Sequence, residues 1–122
     1  MTSAPVLHRP VLHRLVLSAK SLPAALDLYA GALGLAVERT ADGFAWLRTA
    51  DGVELMVHER PAVASDAAVA VTFALPELDA AVDRWVAAGG TVVDAPAAQP
   101  WGERMAVVRD ADGHIVCLVE QP

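Results

Sequence analysis

Two stretches of the sequence carry apolar residues at the three- and four-residue spacing of one helix face. The first stretch ends at Gly34 and the second at Gly89 and Gly90, and glycine is the usual residue just after a helix. We therefore predict two amphipathic helices. Their apolar positions are Leu22, Ala25, Leu26, Tyr29 and Leu33 in the first helix, and Leu78, Ala81, Val82, Trp85 and Val86 in the second.

Segments with the composition of β-strands flank both helices. A strand is predicted before each helix, over residues 12–19 and 69–75, and a short β-rich run follows each terminal glycine. Two hairpins complete the pattern. The first, FAWLRTADGVELMVHE, turns at Asp51-Gly52, and the second, RMAVVRDADGHIVCLVE, turns near Asp112-Gly113. Each half of the chain is thus predicted to contain a strand, a helix and three further strands.

The two halves are related as an internal repeat. A shift of 56 residues lays residues 22–38 over residues 78–94 without a gap, and Tyr29 then coincides with Trp85. This pattern predicts an α+β fold with two tandem βαβββ modules, whose curved mixed sheets surround a cleft. The alternative is an unrelated α+β sandwich with alanine-rich helices. The predicted boundaries are about 11–60 for module one, about 67–121 for module two, and 1–10 for a flexible arm within a single domain of residues 1–122.

Length and composition favour one soluble domain. The chain has 122 residues, enough for a single ordinary domain. Its net charge of −6 is unlike the basic surface that binds a phosphate backbone, so we expect no nucleic-acid partner. No apolar run approaches the roughly 20 residues that span a bilayer, so we expect no membrane partner. The single cysteine rules out an internal disulfide and fits a reducing cytoplasm, where we place the protein.

These segments resemble the vicinal oxygen chelate superfamily, which includes glyoxalase I, extradiol dioxygenases and bleomycin-resistance proteins. The resemblance is carried by SLPAALDLYAGALGL, GVEL, LPELDAAVDRWVAAGG and PWGERMAVVRDADGHIVCLVE, and it covers nearly everything from Val11 to Gln121. It implies paired βαβββ modules, a cleft in each curved sheet and usually a homodimer. It also implies where a metal would bind, because enzymes of this superfamily commonly use His or Gln on the first strand and Glu on the fourth strand of each module.

The positions that match those ligands are Arg14 and Glu54 in module one, and Ala70 and Cys117 in module two. Arginine has no free lone pair near neutral pH and alanine has no donor atom, which leaves one carboxylate and one thiol. Catalytic zinc takes about three protein ligands, whereas magnesium, manganese and iron prefer oxygen or imidazole ligands. We therefore predict that the protein uses no metal and no cofactor.

Histidines are the other candidate metal ligands in the sequence. His13 would enter the ligand set only if the strand register shifted by one residue, because neighbours on a strand face opposite ways. His58 and Met56 share the alternation of Glu54 and are expected to line the cleft, with an ordinary strand role as the alternative for His58. His8 is expected in the mobile arm and His114 at a solvated turn.

Three polar side chains at the ligand positions remain candidates for a binding site. Arg14 and Glu54 either pair with each other, which neutralises a cleft without an ion, or bind the polar group of a ligand. Cys117 is either a small apolar filler, as buried cysteines usually are, or a nucleophile. The sequence offers no histidine partner for that thiol, so we favour the filler and predict no catalytic residue.

Aromatic residues make up the rest of the candidate site. Alternation puts Phe44, Trp46 and Arg48 on one face of a strand, and Trp101 lies in a proline-flanked loop before the seventh strand. Aromatic faces hold planar ligands by stacking, although each of these residues alone is also typical of core packing. Arg104 is a further candidate for orienting the polar end of a ligand.

Together these features predict a metal-free small-molecule binding protein, closest in kind to the bleomycin-resistance branch of the superfamily. It would sequester a bulky aromatic or amphipathic compound, such as a natural-product antibiotic, and act as a homodimer. The alternative is a glyoxalase- or dioxygenase-like lyase, isomerase or oxygenase with a non-standard metal site. A third hypothesis is an inert partner domain that helps to assemble or regulate another protein.

Overall fold

The computed structural model describes residues 8–122. Residues 8–13 are exposed and have no regular structure, so the first strand begins two residues later than predicted, and residues 1–7 of the predicted arm lie outside the described residues. The elements in chain order are β1 (Arg14–Ala19), α1 (Leu22–Leu26, continued by a π-helical segment, Asp27–Ala32), β2 (Ala36–Ala41), β3 (Phe44–Arg48), β4 (Glu54–Glu59), β5 (Val71–Leu75), α2 (Leu78–Ala87), β6 (Thr91–Ala98), β7 (Arg104–Arg109) and β8 (Ile115–Glu120).

Each half of the chain forms a four-stranded mixed sheet. The strand orders are β1-β4-β3-β2 and β5-β8-β7-β6. In each sheet the first strand of the module pairs in parallel with the last, and the other pairs are antiparallel. Parallel neighbours need a long crossover, which the helix and the two intervening strands supply. The structure thus confirms the α+β class, the two tandem βαβββ modules and both predicted hairpins.

The core lies between the helices and one face of each sheet. Along β3, Ala45 and Leu47 are buried while Phe44, Trp46 and Arg48 are half-buried, as a period of two requires. Both modules contribute to one continuous apolar cluster, and burying each large side chain in it contributes about 1.5–3 kcal/mol. No helix among residues 8–122 has the length and apolar character that crossing a membrane requires. The largest fully buried side chains are Trp85, Leu28, Leu47, Leu78, Leu118, Val57 and Val108.

The first helix departs from the gap-free repeat. Its second half is π-helical, so that the Leu33 N–H donates to the carbonyl of Leu28 at 3.0 Å, five residues earlier. The chain then leaves the helix through Gly34 at φ +84°, whereas in module two it leaves through Gly89 at φ +107°. The π-helical turn therefore absorbs one extra residue. Gly90, which the 56-residue shift matches with Gly34, has a different role, because it lies directly against the second helix.

A buried tyrosine joins the two modules. The Tyr29 hydroxyl donates to Oδ2 of Asp110 at 2.8 Å, and its ring meets Trp85 edge-on with the ring centroids 5.6 Å apart. Oδ1 of the same aspartate accepts the backbone N–H groups of Asp112 and His114, both at 2.9 Å. Burial, and then the charge of Asp110, raises the pKa of Tyr29 well above its usual value of 10.0. The second-module hairpin turn is thereby fixed to the first helix.

His114 strengthens the same junction, so the prediction that it is a solvated turn residue is wrong. Its Nδ1 accepts the N–H of Ser65 at 3.2 Å, and its Nε2 lies 2.8 Å from the carbonyl oxygen of Ser18. A carbonyl only accepts, so Nε2 carries the proton. Asp110, Asp112 and His114 place possible metal-binding atoms within 4.8 Å of one another, but several of these atoms already serve the turn, and we interpret the cluster as structural.

Candidate ligand-binding site

The side of the first sheet that faces away from the helices carries most of the predicted site. Odd-numbered residues of β3 and β4, such as Leu47 and Val57, are buried against the helices, so the even-numbered residues point to the other side. We call this surface the open face; it consists of the even-numbered residues of β1, β3 and β4 together with Arg39 and Arg60. The predicted residues that lie on it are Arg14, Phe44, Trp46, Glu54, Met56 and His58.

One row across the open face is charged. Strand register places Arg14 opposite Glu54, and Glu54 opposite Arg48. The Arg14 Nε–H donates to Oε2 of Glu54, and Nη2 of Arg48 lies 3.8 Å from the other carboxylate oxygen. Arg48 also donates twice to Glu38, at 2.6 and 3.0 Å, and these hydrogen bonds lower the pKa of the Glu38 carboxyl and raise that of Arg48. The row is therefore a chain of alternating charges that largely neutralise one another.

This charged row contributes little to stability. The side chain of Arg14 is 36 % exposed, while that of Glu54 is 13 % exposed and has Arg48 as a second cationic neighbour. An exposed pair of this kind is worth at most about 1 kcal/mol. The pairing of Arg14 with Glu54 is the first of the two alternatives that the sequence left open, and it engages the Nε–H of Arg14 and one carboxylate oxygen of Glu54.

The neighbouring rows are aromatic and apolar. Phe44 and His58 stack with ring centroids 4.3 Å apart and an interplanar angle of 20°. Phe44 also stacks on Trp46 at 5.7 Å and 20°, and Cζ of Arg39 lies 3.9 Å from the centroid of the Trp46 ring. Met56 is the register partner of Trp46 on the adjacent strand. The open face thus presents a continuous stack of planar groups, from His58 through Phe44 and Trp46 to the Arg39 guanidinium, which we call the aromatic stack.

The residues at the superfamily's ligand positions do not fit a metal ion. The carboxylate of Glu54 lies between the guanidinium groups of Arg14 and Arg48, which repel a cation, and Arg14 already donates to one of its oxygens. Ala70 offers no donor atom. These positions therefore supply one engaged carboxylate and the buried thiol of Cys117, where a metal site needs several free ligands.

Strand register also corrects the equivalence of Glu54 and Cys117. Cys117 lies opposite Thr72, and Thr72 matches Val16, whose partner is Met56. Met56, rather than Glu54, is thus the first-module counterpart of the cysteine. The thiol of Cys117 is buried and forms no side-chain hydrogen bond among residues 8–122, an environment that matches a small apolar filler.

Besides Cys117, which lies on β8 of the second sheet, two predicted site residues lie away from the open face. Trp101 is 62 % exposed, donates from Nε1 to Glu103 at 2.7 Å, and borders a separate cavity of about 580 Å³ on the second sheet. Arg104 points toward the second helix, where it donates to Asp79 at 2.7 and 2.9 Å and to Glu120 at 2.8 Å. Those carboxylates raise the pKa of Arg104 and occupy its guanidinium. Within one chain, neither residue joins Trp46 in a single site.

The sequence patterns did not identify two arginines of the open face, Arg39 and Arg60, as site residues. Arg39 follows an irregularity in the pairing of β2 with β3, located between Val37 and Arg39, which breaks simple alternation. Arg60 follows the last residue of β4 and donates from Nε to the hydroxyl of Ser18 at 2.7 Å. The even-number rule that selected Met56 and His58 would have found Arg60 if the fourth strand had been extended by one residue.

Comparison with known proteins supports the fold described above. No curated protein matches the sequence significantly. Among solved structures, a glyoxalase-related enzyme from Fulvimarina pelagi has a TM-score of 0.80 at 21 % identity, covering 92 % of this chain and 88 % of that one. A glyoxalase/dioxygenase from Nostoc punctiforme has a TM-score of 0.76 at 20 % identity, covering 98 % and 99 %.

A glyoxalase/bleomycin resistance protein/dioxygenase from Nocardioides has a TM-score of 0.69 at 24 % identity, covering 94 % of this chain and 85 % of that one. At these identities the solved structures establish the fold alone. The sequence model of one family, however, matches residues 11–118, which span both modules. The chain therefore belongs to the Glyoxalase/Bleomycin resistance protein/Dioxygenase superfamily.

Proposed function

We propose that this protein binds a planar aromatic or amphipathic small molecule on the open face of the first sheet, without a metal ion, and thereby sequesters it. A natural-product antibiotic is the kind of compound that such a site suits. The observation that carries the proposal is the aromatic stack of His58, Phe44 and Trp46, built on the sheet face that the helices leave uncovered. Stacked aromatic groups in an open position bind flat ligands through dispersion and apolar burial.

The apolar residues beside the stack support the same function. Val16 is 53 % exposed, and Met56 is half-buried next to Trp46. A flexible thioether adapts to ligands of different shape, which suits a sequestering protein better than a site for one reaction. The charged row supplies a polar border, because Arg14 and Glu54 are paired with each other and lie at the end of the apolar surface.

One observation favours a catalytic alternative. The His58 imidazole lies on the open face and forms no hydrogen bond among residues 8–122, so it could take a proton from a bound molecule. A lyase or isomerase would use it as a general base. His58→Gln separates the alternatives, since a binding protein loses only part of its affinity and an enzyme loses its turnover.

We expect Trp46→Ala to weaken binding of a hydrophobic aromatic ligand about tenfold or more, because one good stacking contact is worth roughly 1–3 kcal/mol. The measurement is a titration of tryptophan fluorescence with a panel of hydrophobic aromatic antibiotics, with calorimetry for the variant that lacks Trp46.

Trp101→Phe is the matched control, because Trp101 lies on the other sheet and its loss should leave the affinity unchanged. Cys117→Ser should likewise change the affinity little if the thiol is a filler. An emission spectrum that no compound of the panel alters, or equal affinities for the wild type and Trp46→Ala, would contradict the proposed site.

A further inference from the structure

The open face has a charge opposite to that of the whole chain. The protein carries 15 acidic and 9 basic residues, for a net charge of −6. Four of those nine basic residues, Arg14, Arg39, Arg48 and Arg60, border the open face, against two carboxylates, Glu38 and Glu54. The face is therefore locally cationic on an acidic protein. A local field of this kind attracts anions and repels cations of similar shape.

The excess positive charge belongs to two particular arginines. Arg14 and Arg48 each form a salt bridge with a carboxylate of the charged row. Among residues 8–122, neither Arg39 nor Arg60 has a carboxylate within 4.0 Å. Both side chains are exposed, so each guanidinium keeps N–H donors that face solvent. A guanidinium with free donors binds a carboxylate through two parallel hydrogen bonds.

The two arginines lie at opposite ends of the aromatic stack. Arg39 is on β2, where its guanidinium covers the Trp46 ring at 3.9 Å. Arg60 reaches Ser18 on β1, and Ser18 is the register partner of His58, which lies at the other end of the stack. Three strand spacings separate β2 from β1, or roughly 14 Å, so a two-ring compound on Trp46 contacts Arg39 alone and only a longer compound reaches both arginines.

The contact between Arg39 and Trp46 is well suited to exchange. An exposed cation–π contact is weak, so a planar ring can replace the guanidinium on the indole face at small cost. The displaced arginine then remains within reach of an acidic group on the same ring. One residue would thus cover the site when it is empty and pair with the ligand when it is filled.

From this juxtaposition we infer that the ligand of the open face is a planar aromatic anion, an aromatic carboxylate, whose ring stacks on Trp46 and whose charge pairs with Arg39, with Arg60 as a second cationic border. This inference rests on the proposed function and narrows it to one class of ligand. It implies that neutral and cationic aromatic compounds of the same shape bind more weakly.

The test compares naphthoate with naphthamide, which has the same ring system and no charge, by calorimetric titration of the full chain. Naphthoate should bind about tenfold more tightly, since hydrogen bonds to an ionised group are roughly twice as strong as neutral ones. Arg39→Gln should remove most of that preference, whereas naphthamide binding should change only a few-fold, because the cation–π contact that the ring displaces is weak. Arg39→Lys should keep only part of it, because an ammonium group lacks the planar fork.

Arg9→Gln is the matched control. Arg9 is exposed, lies outside the strands, and its loss changes the net charge by the same amount, so it should leave the preference intact. Circular dichroism verifies that each variant is folded. If both probes bind equally, or if Arg39→Gln retains the full preference, the inferred ligand class is wrong and the aromatic site stands. If neither probe binds, the inference and the proposed function fail together.

Discussion

Gly90→Ala should be the most damaging of the small substitutions in this fold. A methyl group at this position would lie 2.1 Å from Nε1 and 2.3 Å from Cδ1 of Trp85. The indole cannot retreat, because it is fully buried, donates from Nε1 to the carbonyl of Arg109 at 2.9 Å, and packs edge-on against Tyr29. We expect a loss of about 3–5 kcal/mol, comparable to removing the large side chain itself. Urea unfolding of the variant and of the wild type measures this loss in the free energy of unfolding.

Gly34→Ala is the control for backbone effects. Gly34 has φ +84° and no atom within 4 Å of an added methyl group, so its substitution should cost only about 1–2 kcal/mol of left-handed strain. Equal unfolding midpoints for the two variants would show that the contact with Trp85 does not limit the space at Gly90.

The second large effect is expected at alkaline pH. Burial, followed by the charge and hydrogen bond of Asp110, raises the pKa of Tyr29 well above 10.0. The folded state therefore keeps a proton that the unfolded chain releases above about pH 10. Below that pH the full contribution of Tyr29 to the free energy of unfolding is present. Above it, the free energy of unfolding falls by up to about 1.4 kcal/mol per pH unit, until the pH reaches the pKa of Tyr29 in the folded state.

Tyr29 is the one tyrosine of the chain, so its titration can be followed without interference. Tyrosinate absorbance should appear together with the loss of native tryptophan fluorescence. Tyr29→Phe should be less stable than the wild type at neutral pH, because Asp110 loses its hydroxyl donor. Its free energy of unfolding should nevertheless fall less steeply as the pH rises above about 10. Tyrosinate formation near pH 10 in a protein that is still folded would contradict the buried hydrogen bond.

Much of the fold follows from local patterns. The helical spacing, the hairpin turns and the 56-residue repeat predicted both modules, and strand alternation put Glu54, Met56 and His58 on one face. Alternation succeeds because each sheet buries one face and leaves the other open. The same rule grouped Phe44 with Trp46, which the structure shows stacked.

The predictions that were wrong or incomplete depend on interactions that no local sequence pattern indicates. The repeat hid a π-helical turn, because absorbing an extra residue changes the hydrogen bonds without changing the alignment. The match to the superfamily's ligand positions paired Cys117 with Glu54, although strand register pairs Cys117 with Met56. The hydrogen bond between Tyr29 and Asp110 joins residues that are distant in sequence, and they come together only because the two modules pack against each other.

The central claim is that this member of the superfamily binds an aromatic ligand without a metal ion. Glu54 is held between two guanidinium groups, and the register separates it from Cys117, so the chain has no complete ligand set at these positions. The most direct measurement is a calorimetric titration of chelator-treated protein with naphthoate, repeated after adding zinc or manganese. We predict the same dissociation constant in all three conditions and no chemical change in the recovered ligand. Binding that requires the metal, or that strengthens tenfold or more when it is added, would contradict the account.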